Sequence, residues 1–166
     1  MAIITFWNNG KVETGQSMTL AAIATTLAIN YDYKILMINT KFNDKSLKNA
    51  FESKNNINNL FTRGKTDFDV GLSGVAKAII SNKTSPEIIT NYTKIIFKNL
   101  ELLTDENINR TDFEKYIEYI KEIIKLANRY YDLVFVDLEG DIENLDIKQI
   151  LQFSNINVVT MVQNIN

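Results

Sequence analysis

The sequence predicts an α/β protein in three layers: a doubly wound, mostly parallel sheet flanked by helices. Two observations carry this. Ala2–Trp7 (AIITFW), Lys34–Asn39 (KILMIN), Leu133–Leu138 (LVFVDL) and Ile156–Val162 (INVVTMV) are short, nearly continuous apolar runs. Strands of that kind are buried on both faces, as in a parallel sheet. Between them lie segments with the spacing of amphipathic helices, and strands alternating with helices wind into parallel sheets.

Taken in order, Ala2–Trp7 is the first strand, and Ser17–Ile29, rich in Ala and Leu, is the helix after it. Lys34–Asn39 is the second strand. Residues 53–75 are polar and glycine-bearing, and read as a long loop or short helices over one sheet edge. Ser85-Pro86-Glu87 supplies an N-cap and a first-turn proline for a helix running to about Lys98. Leu100–Thr104 is a weaker strand. Thr111-Asp112-Phe113-Glu114 is a capping-box pattern, and Phe113, Tyr116, Ile117, Ile120, Ile123, Ile124 and Ala127 then form one apolar stripe. No repeat, linker or second domain interrupts the chain.

At 166 residues with 45% hydrophobic content, the chain has enough apolar material for one domain with a sizeable core. A net charge of −2 gives no global pull toward nucleic acid or an anionic membrane. There is no basic patch with interleaved aromatics. Without cysteine or histidine, thiol chemistry, disulfides, zinc clusters and imidazole bases are excluded. The N-terminal apolar run is too short for a signal peptide or a membrane span, so the expectation is a cytoplasmic protein.

The most informative stretch joins the first strand to the first helix. Gly10-Lys11-Val12-Glu13-Thr14-Gly15-Gln16-Ser17 has the spacing of a phosphate-binding loop, G-x-x-x-x-G-K-[ST], with Gln16 at the lysine. Unpaired amides at a helix start, and a nest of loop amides, favour an anion there. The bland alternative is a βα turn that needs glycine only for its geometry. Asp137, ending the strand in YYDLVFVDLEG, adds a carboxylate placed as in a Walker B strand, where it would meet a metal.

Together these features resemble the ParA/MinD family of deviant P-loop ATPases, whose loop reads K-G-G-x-G-K-[ST]. LAAIATTLA, YKILMINT, YDLVFVDLEG and NINVVTMVQN look like that family's first helix, second strand, Walker B strand and following strand. The resemblance covers about residues 2–50 and 130–164, and NYTKIIFKNLELL beside a divergent loop looks most like the TadZ/CpaE-type branch. It implies a P-loop NTPase fold and ATP or ADP with Mg²⁺ as cofactors. It also implies a homodimer through the nucleotide face, and a partner in pilus, secretion or partition machinery. Lys11 falls at the position of the family's signature lysine, the one that crosses to the partner subunit's phosphates. The candidate nucleotide-binding residues are Gly10, Lys11, Thr14, Gly15, Gln16, Ser17 and Met18; the candidate metal ligands are Ser17 and Asp137.

The departures are grouped. Gln16 can donate a hydrogen bond but supplies no charge. Val12 and Glu13 replace paired glycines, and Glu13 adds a negative charge to the loop. The second strand ends INTKFND, so Asn39 and Lys41 stand where the family has two aspartates. No catalytic residue is assigned, and the expectation is weak nucleotide binding with little or no hydrolysis. The alternatives are a pseudo-ATPase scaffold that binds no nucleotide, and an unrelated α/β domain with a fortuitous loop. Because the family usually continues beyond the strand at Val158–Val162, residues 1–166 are read as a single domain lacking the C-terminal part of that fold, or as a fragment. Either way, an exposed sheet edge would seek a partner.

Overall fold

A computed structural model describes residues 1–10, 14–51 and 71–161. Six strands form one sheet in the order β3-β4-β2-β5-β1-β6. They are β1 (Ala2–Asn8), β2 (Ile35–Asn39), β3 (Lys94–Phe97), β4 (Leu100–Leu103), β5 (Leu133–Glu139) and β6 (Ile156–Val159). Every pairing is parallel except β3 with β4. The helices are α1 (Gln16–Asn30), α2 (Ser46–Asn49), α3 (Leu72–Ile80), α4 (Arg110–Ile117), α5 (Ile120–Ala127) and α6 (Leu145–Phe153). The α/β doubly wound arrangement expected from the apolar runs is therefore present.

The pleat divides the core in two. Side chains alternate between faces along a strand. Ile4, Phe6, Ile35, Met37 and Phe135 accordingly pack with Leu20, Ala21 and Ala24 of α1. Ile3, Leu36, Ile38, Val134, Val136 and Leu138 pack on the other side with α3, α5 and α6. The same parity continues to the strand ends. Asn8, Asn39 and Asp137 belong to the α1 face, and all three are buried. Register sets Asn39 opposite Asp137, while Asn8 lies two residues further along, opposite Glu139. Three polar side chains thus converge where α1 begins.

Three local expectations need correction. The helix expected over Ser85–Lys98 is a 3₁₀ turn at Pro86–Asn91 followed by strand β3. Pro86 does start a helical turn. Lys94–Phe97, with its β-branched Ile95 and Ile96, then pairs antiparallel with β4, and pairing outweighs local propensity. The apolar stripe from Phe113 to Ala127 is carried by two helices, with a break at Glu118–Tyr119. The cap of α4 is Asn109 rather than Thr111: its side chain accepts the Asp112 amide at 2.8 Å. Most of the polar stretch 53–75 and the end of the Ile156–Val162 run lie outside the described residues, although residues 72–75 open helix α3.

The start of α3 bears on the later argument. Asp105, just beyond β4, accepts from the Ser73 amide at 3.1 and 3.2 Å and from the Ser73 hydroxyl at 2.9 Å. A Cβ on Gly71 would lie 2.3 Å from the Asp105 carboxylate, so only glycine lets that carboxylate approach. Among the described residues, no helix is long and apolar enough to cross a membrane.

Candidate functional site

The turn between β1 and α1 is held by its glycines. Gly10 and Gly15 both adopt left-handed backbone, at φ 73° and 71°. Gly15 precedes the first residue of α1 and offers no side chain to cap it. The Thr19 amide bonds back to the Gly15 carbonyl at 3.0 Å. The amides of Gln16, Ser17 and Met18 belong to the first turn, where no intrahelical acceptor exists. That end of the helix carries the positive end of its dipole. Lys11 lies outside the described residues, as do Val12 and Glu13.

The side chains of Gln16 and Ser17 point the other way, into the sheet. The Gln16 amide nitrogen donates to the Asp137 carboxylate at 2.6 Å, to the Leu138 carbonyl at 3.0 Å and to the Phe6 carbonyl at 3.1 Å. Its oxygen accepts from Asn8 Nδ2 at 2.9 Å and faces the Thr160 hydroxyl at 2.9 Å. The nitrogen side meets only acceptors, which fixes the orientation of the amide. Both ends are occupied within the protein. A glutamine suits this place because it joins acceptors on β1 and β5 to donors from Asn8 and Thr160, which lysine, a donor only, cannot do.

Asp137 is fully buried. One of its oxygens takes the Gln16 amide and the other takes the Ser17 hydroxyl at 2.6 Å. The Lys41 ammonium stands 3.0 Å from that first oxygen and donates to Ser17 Oγ, also at 3.0 Å. Asn39 positions this lysine: its side-chain oxygen accepts the Lys41 amide at 3.0 Å, while its nitrogen donates to the Asp44 carbonyl. Thr40 donates to the Asp137 carbonyl at 2.8 Å. Thus the two residues at the family's aspartate positions act together, one holding the backbone and the other delivering a cation.

Ser17 and Asp137 are brought together, as their candidacy for a metal required. As arranged, however, they do not fit a divalent ion. The Ser17 hydroxyl and both Asp137 oxygens are engaged, and a cationic nitrogen already contacts both side chains. Nor, among the described residues, is there any group of three or more acidic, cysteine or histidine side chains that could hold a metal.

Above the buried Asp137, a cleft of about 870 Å³ opens at the C-terminal ends of the strands. Gly10, Thr14, Gly15, Gln16, Ser17 and Met18 form one wall, and Thr40, Lys41 and Phe42 another. Clefts at that end are where open α/β sheets bind ligands. Several lining or supporting residues belong to no motif of the sequence. Asn8 ties Gly10 to Gln16, and Thr160 reaches both Thr14 and Gln16 at 2.9 Å. Glu139 leans over the loop, its Cγ 3.2 Å from where a Gly10 Cβ would stand. Strand alternation in Asp137-Leu138-Glu139 could have revealed it, since both acids share a face. Phe42 and Phe113 meet edge to face with ring centres 5.2 Å apart, and Arg110 covers Phe42; nothing in the sequence announced that pairing.

No family model matches the sequence, and no curated protein matches it. Solved structures do. A ParA family ATPase from Chlorobium tepidum matches over 95% of this chain and 59% of its own, with TM-score 0.70 and 19% identity. The MinC:MinD cell division protein complex of Aquifex aeolicus matches over 95% and 55%, with TM-score 0.52 and 18% identity. The fold is that of the ParA/MinD ATPases. A protein from Corynebacterium diphtheriae matches at TM-score 0.59 and 12% identity, over 99% of this chain and 62% of its own. The chain therefore spans less than two thirds of the length of each of these structures.

Proposed function

We propose that this chain is a ParA/MinD-like nucleotide-binding domain that holds ATP or ADP weakly and hydrolyses it little or not at all, working as a binding switch. The observation that carries this reading is the Lys41–Asp137–Ser17 cluster beside the glycine loop. The loop supplies left-handed glycines and first-turn amides, which bind phosphate without any catalytic side chain. Phosphoryl transfer asks for more: charge delivered to the β- and γ-phosphates and an oriented water. Here the glutamine at the lysine position is engaged within the protein. Lys41, the cation that contacts Ser17 and Asp137, faces a carboxylate.

In this reading Gly10, Lys11, Thr14, Gly15, Gln16, Ser17 and Met18 surround the phosphates, and Lys11 reaches across a homodimer formed through the nucleotide face. A protein partner follows the same logic, since a switch without turnover acts through what it binds. The Aquifex aeolicus structure, a MinC:MinD complex, supports a protein partner for this fold. Placement of pilus, secretion or partition machinery, as in the TadZ/CpaE-type branch, is the task proposed, in the cytoplasm.

The second reading, a scaffold that binds no nucleotide, is favoured by one observation. Glu139 sets a carboxylate against Gly10, where a phosphate would have to pass. Calorimetric titration with ATP separates the two. Heat saturating at micromolar to millimolar nucleotide is expected, and its absence at millimolar nucleotide establishes the scaffold.

A further inference from the structure

Ser17 Oγ and the Asp137 carboxylate form a pair of hard oxygens of the kind a divalent cation takes. In this protein that pair already has a cation. Lys41 Nζ lies 3.0 Å from Ser17 Oγ and 3.0 Å from Asp137 Oδ1, and 3.8 Å from Glu139. The lysine side chain is 12% exposed and the aspartate fully buried, so the contact is shielded from water. Asn39 fixes the Lys41 backbone through the 3.0 Å bond already described. A divalent ion on the same oxygens would stand against this ammonium, with two cations repelling in a setting of low dielectric.

We propose that the Lys41 ammonium is a resident replacement for the divalent cation, and that phosphate-bearing ligands bind this cleft independently of divalent metal. The second half rests on the nucleotide-binding reading above; the first does not. Lys41 faces Asp137 as its counter-charge, a task that elsewhere would fall to a metal arriving with the ligand. The loop then meets a phosphate with the buried carboxylate already balanced. The ligand class that fits is a nucleotide di- or triphosphate, taken equally with or without its magnesium.

Two measurements on the full chain decide the matter. In the first, ATP is titrated in excess Mg²⁺ and in excess EDTA, for the wild type and for Lys41→Ala, with Lys41→Gln replacing the alanine variant if that fails to fold. The wild-type affinity is expected to agree between buffers within about twofold. Lys41→Ala should bind about tenfold more weakly in EDTA and recover in Mg²⁺. Wild-type binding that requires Mg²⁺ overturns the proposal while leaving the nucleotide reading standing. Absence of ATP binding in both buffers removes the nucleotide reading, and the ligand half with it.

The second measurement needs no nucleotide. Mn²⁺ binding is followed by electron paramagnetic resonance on the ligand-free protein. Lys41→Ala is expected to acquire a bound Mn²⁺ that Asp137→Asn abolishes, with no such site in the wild type. Mn²⁺ bound by the wild type and lost on Asp137→Asn, or no Mn²⁺ gained by Lys41→Ala, overturns the replacement itself.

Discussion

Helices α1 and α3 both begin at the C-terminal end of the sheet, and their first turns are completed in opposite ways. At α3 the protein supplies its own anion: the Asp105 carboxylate receives the Ser73 amide and hydroxyl. At α1 the N-cap is Gly15, which brings no side chain. The first two side chains of α1 instead turn to the sheet and clasp Asp137, which Lys41 balances. One helix start is closed by an internal carboxylate, while the other keeps its carboxylate beneath the helix and leaves the amide side facing a cleft. The contrast separates a helix start closed by the protein itself from one left open to a cleft.

The largest expected effect comes from the clasp. Gln16→Leu removes the acceptor for Asn8 and Thr160 and the donor to Asp137, Phe6 and Leu138, leaving several buried polar groups unpaired. A loss of about 3 kcal/mol is expected, read from urea denaturation midpoints at constant slope. A loss under about 1 kcal/mol would mean that water re-satisfies these groups, and the α1 start would then resemble an ordinary surface turn.

Asp105→Asn probes the other start, with an effect of about 1 kcal/mol. Burial pushes the Asp105 carboxyl above its ordinary value of 3.8, outweighing the hydrogen bonds from Ser73 that pull it down. Between 3.8 and the raised native value, the folded state binds more protons than the unfolded chain, so this residue's contribution to stability falls as pH rises. The asparagine variant lacks that titration. Its deficit relative to wild type should therefore be larger at acid pH than at neutral pH, measured by denaturation on both sides of the window. A deficit independent of pH would show that the carboxyl titrates alike in both states.

An effect of similar size is expected at Gly15. Its φ of 71° disfavours any Cβ, yet the space around it is open, with nothing within 4 Å. Gly15→Ala should cost about 1 kcal/mol through backbone strain alone. If nucleotide binds as proposed, the affinity measured by calorimetry should fall as well, because the strained turn redirects the first-turn amides. Loss of stability without loss of affinity would dissociate the turn from the phosphate site.

Much of the fold is legible in the sequence for a physical reason. β1, β2 and β5 are apolar on both faces, so their composition alone marks them. β3 escaped because Lys94–Phe97 lies at an edge, half exposed, and becomes a strand only by pairing with β4. At the site, Gly10, Gly15, Ser17 and Asp137 are recognisable from spacing. The meaning of Gln16 and Lys41 is not. In sequence each looks like a charge lost or reversed. Only the register that sets Asn39 opposite Asp137, and the inward turn of α1's first side chain, reveal that the two clasp the same carboxylate.

Thr160 gives the arrangement a mechanical side. It follows β6 directly and is joined to the loop twice, to Thr14 Oγ1 and to Gln16 Oε1, each at 2.9 Å. Its own backbone amide is anchored to Trp7 on β1 at 3.0 Å. A displacement of the loop by an ångström must therefore either stretch these bonds beyond their range or drag the exit of β6 along with it. The strand end is a lever whose short arm rests on Thr14 and Gln16, coupling the start of α1 to the exit of β6 through hydrogen bonds alone.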